Sequence, residues 1–250
     1  MLSVQYLEEL AMNAWPSLQT VFYDGWVLRF ADGYTKRANS VHPLYPTSGD
    51  AGGDIDVCED FYRARNLRTI FKMTPASRPA NLDALLAARG YRMDSPTSVQ
   101  VLDLQGWQPA EVRSVTVSEA YDDTWFAAAC RLGAIPTQRQ PTLSAMLRSI
   151  VPRPCYASIS HEGAVVACGL GVLQQDCAGL FDIVTDATVR RRGYGQALVQ
   201  GILDWSKQQG ARFAYLQVVV GNEPALRLYA RLGFTEQYQY WYRVQPTSEG

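Results

Sequence analysis

The chain has 250 residues, 47% hydrophobic and 19% charged, with a formal net charge of −1 and a pI near 6.1. These proportions exclude a disordered chain, and the length predicts one large or two modest domains with a substantial core. No apolar run approaches the roughly 18–20 residues of a membrane span, and near-neutrality argues against coating nucleic acid or anionic lipid. Neither nucleic acid nor membrane is expected as a partner. Five cysteines (Cys58, Cys130, Cys155, Cys168 and Cys177) form no CxxC pair, and several sit in apolar stretches, which suits reduced, buried thiols. With only His42 and His161, no zinc spacing can be written; both histidines are expected at the surface, one beside Pro43 and one in a turn. The first ten residues carry Glu8 and Glu9 and lack the basic start and apolar stretch of a signal peptide. The expectation is a cytoplasmic protein without a structural metal.

In chain order, Leu2 to Ala14 reads as a helix ended by Trp15-Pro16. A turn at Tyr23-Asp24-Gly25 leads into a strand over Trp26 to Phe30, and Ala31-Asp32-Gly33 turns the chain towards Arg37 to Val41. Pro43 to Gly53 reads as a loop, Val57 to Arg65 as a helix, Arg68 to Met73 as a strand, Ala80 to Arg89 as a short helix and Val99 to Leu104 as a strand. Gln105 to Pro109 is the candidate linker. Beyond it, Asp122 to Leu132 and Leu143 to Ile150 are predicted helices, followed by strands at Cys155 to Ser160, Ala164 to Val172 and Gly179 to Thr185. Tyr194, Ala197, Leu198, Ile202 and Trp205 recur at spacings of three and four, the stripe of an amphipathic helix. A β-branched strand over Phe213 to Val220, a helix over Glu223 to Leu232 between the cap Asn222 and Gly233, and a strand over Phe234 to Val244 complete an α/β ending.

Chemistry concentrates in the stretch Thr185 to Gln196, TDATVRRRGYGQ, between a predicted strand and a predicted helix. Gly193 and Gly195 let backbone amides approach a ligand, the helix N-terminus adds partial positive charge, and Arg190, Arg191 and Arg192 add formal charge. The pattern describes an anion cradle suited to a pyrophosphate. Three consecutive arginines can equally be a solvated patch or a nucleic-acid contact, and the loop pattern alone is weakly specific. A second element, NEPALRLYARLGF (Asn222 to Phe234), follows the next strand.

Together these elements resemble the Gcn5-related N-acetyltransferase (GNAT) family. Arg190, Gly193 and Gly195 match its [RQ]-x-x-G-x-[GA] cofactor loop, and Asn222, Ala225, Leu228, Tyr229, Gly233 and Phe234 match its later helix. The clear match covers about Ala164 to Val244, and a weaker one reaches back to about Glu111. The resemblance implies a mixed, mostly antiparallel twisted sheet flanked by helices, with acetyl-CoA as cosubstrate and no metal. It implies that Ile183, Val184 and Thr185 offer free strand edges to pantetheine, and that the loop amides from Arg191 through Arg192, Gly193, Tyr194 and Gly195 to Gln196 hold the pyrophosphate. Asn222 and Ala225 then belong to the cofactor site, and the Tyr229 hydroxyl serves as general acid at the thioester sulphur. One departure stands in the loop, where the family's frequent proline is Ala187.

Read without that context, Tyr229 is a packing residue, and Asp182 is either a general base or a structural carboxylate. Strand alternation places Phe181 and Ile183 on one face and Asp182 on the other. The segment Pro79 to Tyr91 echoes NEPALRLYARLGF, with Asn81 for Asn222, Ala84 for Ala225 and Arg89-Gly90-Tyr91 for the helix end, but lacks the tyrosine and any preceding cradle. We therefore expect two such units in tandem: a degenerate GNAT-like domain over residues 1–104, and an acetyltransferase domain over residues 111–250. Residues 34–41 (YTKRANSV) are polar and suggest a lining for a substrate cleft. The expected function is acetyl transfer from acetyl-CoA to a primary amine by direct attack in a ternary complex. The alternative is a catalytically silent acyl-CoA-binding regulatory or interaction protein.

Overall fold

The computed structural model describes residues 2–108 and 114–246. Its elements are α1 (Val4–Ala14), β1 (Gln19–Tyr23), β2 (Trp26–Phe30), β3 (Val41–His42), α2 (Ala51–Arg63), β4 (Ile70–Met73), α3 (Leu82–Ala88) and β5 (Arg92–Asp103). There follow β6 (Thr116–Ser118), α4 (Asp123–Leu132), α5 (Gln140–Arg148), β7 (Arg153–His161), β8 (Ala164–Gln174), β9 (Cys177–Thr185), α6 (Tyr194–Gln208), β10 (Phe213–Val219), α7 (Glu223–Arg231) and β11 (Thr235–Val244). The mixed, mostly antiparallel architecture is the expected one. Several local readings differ. α2 starts at Ala51, inside the expected loop, because the Asp50 carboxylate caps it by accepting from the Gly53 amide at 3.1 Å. Between Gly33 and Val41 the chain is turn, with a 3₁₀ turn over Lys36–Ala38, before the short β3. The Asn39 side chain accepts from the amides of Ala31 and Gly33 at 2.7 and 2.8 Å and donates to the Thr35 carbonyl, pulling the backbone out of strand geometry. The short strands β1 and β6 are new, and β5 begins at Arg92 rather than Val99.

The chain divides into two compact units, one of Met1–Ser98 with Val219–Gly221 and Tyr238–Gly250, the other of Val99–Val218 with Asn222–Gln237. These units differ from the expected contiguous division into residues 1–104 and 111–250 in that β5 and β11 each contribute to both along their length. Pro109 of the expected linker and residues 111–113 of the expected second domain lie outside the described residues.

The first unit orders its strands β1-β2-β3-β4-β11. Asp24 and Gly25, both at positive φ (38° and 81°), close the β1–β2 hairpin. β4 runs parallel to β3 at Val41↔Phe71 and antiparallel to β11 from Trp241↔Met73 to Val244↔Ile70. One face is apolar, with Trp26, Leu28, Phe71 and Met73 packing against Ile55 and Tyr62 of α2 and Leu82 and Leu86 of α3. The alternate residues form a polar, equally buried face beneath α1. There Glu8 accepts from Lys72 Nζ and the Tyr238 hydroxyl, each at 2.6 Å, and Lys72 Nζ lies 3.8 Å from the Tyr240 ring centroid. Arg29 donates to the carbonyls of Met12, Trp15 and Arg37. His42, expected at the surface, is 2% exposed here, because the strand pairing that places Val41 in the apolar core turns the next residue under α1. Residues 38–41 are buried within this unit.

The internal echo is structural as well. α3 and α7 each end at a glycine in left-handed conformation, Gly90 (φ 82°) and Gly233 (φ 94°). The aromatic that follows donates its amide back into the helix, Tyr91 to the Leu86 carbonyl and Phe234 to the Tyr229 carbonyl, each at 3.0 Å. Leu86 thus occupies the place of Tyr229.

The second unit orders its strands β11-β5-β10-β9-β8-β7-β6. β7, β8 and β9 form an antiparallel meander, and α6 packs on it through Leu198, Val199, Ile202 and Leu203. Gly169 and Gly171 of β8 let α6 come close, since a Cβ there would lie 3.1 and 2.7 Å from Ile202. β9 and β10 pair in parallel from Phe213↔Cys177 to Leu216↔Leu180 and stop there, although β9 continues to Thr185 and β10 to Val219. β9 stays paired to β8 through Val184↔Cys168 and Thr185↔Ala167, so the strand edge that faced β10 is left open beyond Leu180.

Candidate active site

Past the end of that pairing, the chain builds an anion site from local parts. Asp186 shapes the loop by accepting from the Thr188 amide and hydroxyl at 2.9 and 2.7 Å, fixing a single 3₁₀ turn over Ala187–Val189. Those two bonds, with Arg131 of α4 at 3.4 Å, hold the Asp186 carboxyl below the usual carboxylate range. Arg131 also donates to the Val165 carbonyl at 2.6 Å, tying α4, β8 and the loop together. This scaffold supplies the order that a proline at Ala187 would have supplied. Arg191 (φ 62°) and Gly193 (φ 83°) then turn the backbone through the left-handed region into α6.

Gly193 occupies the N-cap position of α6, so among the described residues no side chain caps that helix. The first amides of α6 therefore keep their donor capacity for a ligand, and the helix dipole favours an anion. Gly195 lies in the first turn at ordinary helical geometry, and a Cβ there would meet nothing nearer than Thr185 Oγ1 at 3.4 Å. Packing within the protein therefore does not demand a glycine at 195, and its absent side chain leaves open space beside the first turn of α6. The first unit offers a contrast, since Asp50 fills the N-terminus of α2 with the protein's own carboxylate.

These elements line a cavity of about 1010 Å³. The cradle contributes Arg190, Arg191, Gly193, Tyr194, Gly195 and Gln196, and the open edge of β9 contributes Ile183, Val184 and Thr185. α7 closes it with Asn222, Ala225, Leu228 and Tyr229. Asn222 caps α7 by accepting from the Ala225 amide at 3.3 Å. Tyr229 is buried, with its ring edge-on to Phe234 at a centroid distance of 5.9 Å.

The expected cofactor residues come together here with one exception, Arg192, which is exposed and outside the lining. Asp182 is also exposed and outside the lining. The expected strand alternation fails at this point. Asp182 has φ 47°, and the β8–β9 register shifts between Cys168 and Leu170, so a bulge inserts one residue. Ile183 consequently faces α6 with Leu198 and Ile202, whereas Phe181 packs edge-on to Tyr215 and stands outside the α6 core. All five cysteines are buried, and burial pushes the Cys155 and Cys168 thiols up to about 12, which removes them as nucleophiles. No group of three or more metal-ligating side chains occurs among the described residues, and no helix there is long and apolar enough to cross a membrane. Arg227 and Arg231 also line the cavity, from α7, and the sequence signals them only by their four-residue spacing on the helix that carries Tyr229.

Residues 3–243 match the family described as probable histone acetyltransferase Rv0428c C-terminal. The chain belongs to that family. It is an N-acetyltransferase of the GNAT type. Among sequence relatives, the acetyltransferase is 26% identical over 247 residues to YobR of Bacillus subtilis (strain 168), described as an uncharacterized N-acetyltransferase, which covers 97% of this chain and 98% of that protein. Among solved structures, its fold is similar to a GCN5-related N-acetyltransferase from Kribbella flavida (TM-score 0.71, 16% identity, 98% of each chain). It is also similar to a tandem GNAT protein from the clavulanic acid biosynthesis pathway (TM-score 0.66, 15% identity, 98% of this chain and 89% of that one).

Proposed function

We propose that this acetyltransferase uses acetyl-CoA and transfers the acetyl group to a primary amine by direct attack while both substrates are bound. The observation that carries the reading is a single cavity joining an uncapped helix N-terminus, an open strand edge and a buried tyrosine. Acetyl-CoA supplies the acetyl thioester. The amides of Gly193 to Gln196, with Arg190 and Arg191, hold the pyrophosphate; Ile183, Val184 and Thr185 offer backbone groups to the pantetheine arm beside Asn222 and Ala225. A backbone amide near Val184 is the donor for the developing oxyanion, and the Tyr229 hydroxyl gives its proton to the departing sulphur. Arg192 and Asp182, both outside the lining, are assigned no step. The attacking amine gives up its proton to solvent water as the amide forms, and solvent reprotonates Tyr229; alignment of two bound substrates supplies several kcal/mol of the barrier, so a strong base is not required.

The test is release of thiol from acetyl-CoA against a panel of polyamines, amino acids, and peptides with free N-termini or lysine side chains. Amine-dependent release with an N-acetylated product by mass spectrometry is expected. Saturable CoA binding without turnover on any amine would make the protein a binder instead.

A further inference from the structure

The charge around the cavity exceeds what a pyrophosphate needs. Among the described lining residues stand Arg190, Arg191, Arg227 and Arg231 and no Asp or Glu, in a chain whose net charge is −1. Arg190 and Arg191 belong to the cradle loop, where backbone amides and the helix dipole already serve a diphosphate. Arg227 and Arg231 come from a different element, α7, and lie one turn apart on it. Side chains at that spacing have Cβ atoms about 5–6 Å from one another, which lets two guanidinium forks close on one tetrahedral oxyanion.

Their place on α7 also orders the ligand. At about 100° per residue, Tyr229 lies roughly 160° to 200° round the helix from Arg227 and Arg231. Tyr229 is buried, Leu228 and Ala225 are half-buried, and both arginines are exposed, so α7 turns Tyr229 inward and its two arginines to the exposed rim of the cavity. A ligand whose reactive end reaches the buried Tyr229 can meet Arg227 and Arg231 only with a part that lies at the exposed rim of the same cavity. One acidic group competes: Glu223 lies 3.3 Å from Arg227, with both side chains more than 60% exposed (68% and 62%). Such an exposed pair is worth little and yields readily to a phosphate dianion.

We infer that Arg227 and Arg231 form a second anion subsite that grips the ribose 3′-phosphate and so selects CoA over its 3′-dephospho form. This rests on the acetyl-CoA reading above and adds a specificity element to it. The experiment is calorimetric titration of the full chain, wild type and the R227Q/R231Q double variant, with CoA and with 3′-dephospho-CoA. Wild type is expected to bind CoA about tenfold more tightly than dephospho-CoA, a figure at the low end for charge-assisted pairing because the site is exposed. The double variant is expected to bind both equally, at the wild-type affinity for dephospho-CoA, and the R231Q single variant to fall between. Equal wild-type affinity for the two ligands, or an equal loss for both in the variant, would overturn the subsite while leaving the cofactor reading intact. If wild type bound neither form, the cofactor reading itself would fall, and the subsite with it. If the double variant misfolds, the R231Q and R227Q single variants carry the residue assignment, and a preference for CoA unchanged in both would overturn it.

Discussion

A tyrosine hydroxyl held in a largely buried helix face must be explained either by packing or by chemistry, and at Tyr229 the two can be separated. Its ring is fixed by Phe234 and its backbone by the helix end, so Tyr229→Phe preserves the packing and removes only the oxygen. A thiol of pKa near 8.5 is not a very poor leaving group, so assistance is helpful rather than indispensable. We expect kcat to fall by roughly 10²-fold, with CoA affinity nearly unchanged, and the loss to shrink with acyl donors of more acidic thiols. Normal turnover at saturating amine, with chemistry rate-limiting, would return Tyr229 to a packing role. Gly195 makes the complementary case. Gly195→Val places methyl groups in the cavity without meeting backbone, so calorimetry should lose CoA binding while Tm moves by only a few degrees. A valine variant with wild-type CoA affinity would remove the cradle assignment.

At the scale of elements, the same helix-capping physics has opposite outcomes in the two units. α6 begins at Gly193 and leaves its amides to a ligand, whereas α2 begins at Asp50 and uses them itself. The polar side of the first unit has its own consequence. Burial, then the charges of Arg29 and Lys72, keep His42 neutral and its pKa well below 6.5. Glu8, whose Oε2 lies 3.9 Å from His42 Nδ1, is engaged by Lys72. When the pH falls below about 6.5 the unfolded chain protonates this histidine and the folded chain does not. Stability is therefore present above that value and lost as pH drops, by up to about 1.4 kcal/mol per pH unit. Urea midpoints at pH 7 and pH 5 should show a fall in the wild type that is smaller in a His42→Gln variant. Equal falls in both would place the acid sensitivity elsewhere.

At the scale of the whole molecule, the exchange of strands decides what can be cut. Tyr238–Val244 belongs to the first unit, where it pairs β4, supplies Tyr238 to Glu8 and Tyr240 to Lys72, and places Arg243 2.7 Å from Asp83. A fragment of residues 1–104 loses all of these and leaves a buried ion pair with fewer partners, a strongly destabilising change. It should lack a cooperative urea transition by circular dichroism, whereas the full chain should show one. A fragment that unfolds cooperatively would show that the first unit does not need its borrowed strand.

Some of this protein is determined by stretches of sequence that are contiguous. The cradle from Arg190 to Gln196, the stripe of α6 and the capped α7 with its terminal Gly233 follow from side-chain chemistry acting over a few residues, and they alone identified the active unit. The helix end at Gly90 is equally local, which is why the tandem echo was legible. Other features depend on partners distant along the chain. The bulge at Asp182 arises from register with β8 and reverses the face expected from alternation. His42 is buried because pairing, not hydropathy, places it beneath α1. β11 divides itself between two units because β4 needs a neighbour, which no linker composition announces. Arg227 and Arg231 become cavity residues only once α7 and the open edge of β9 line the same cavity, since a helix surface acquires its meaning from what it faces.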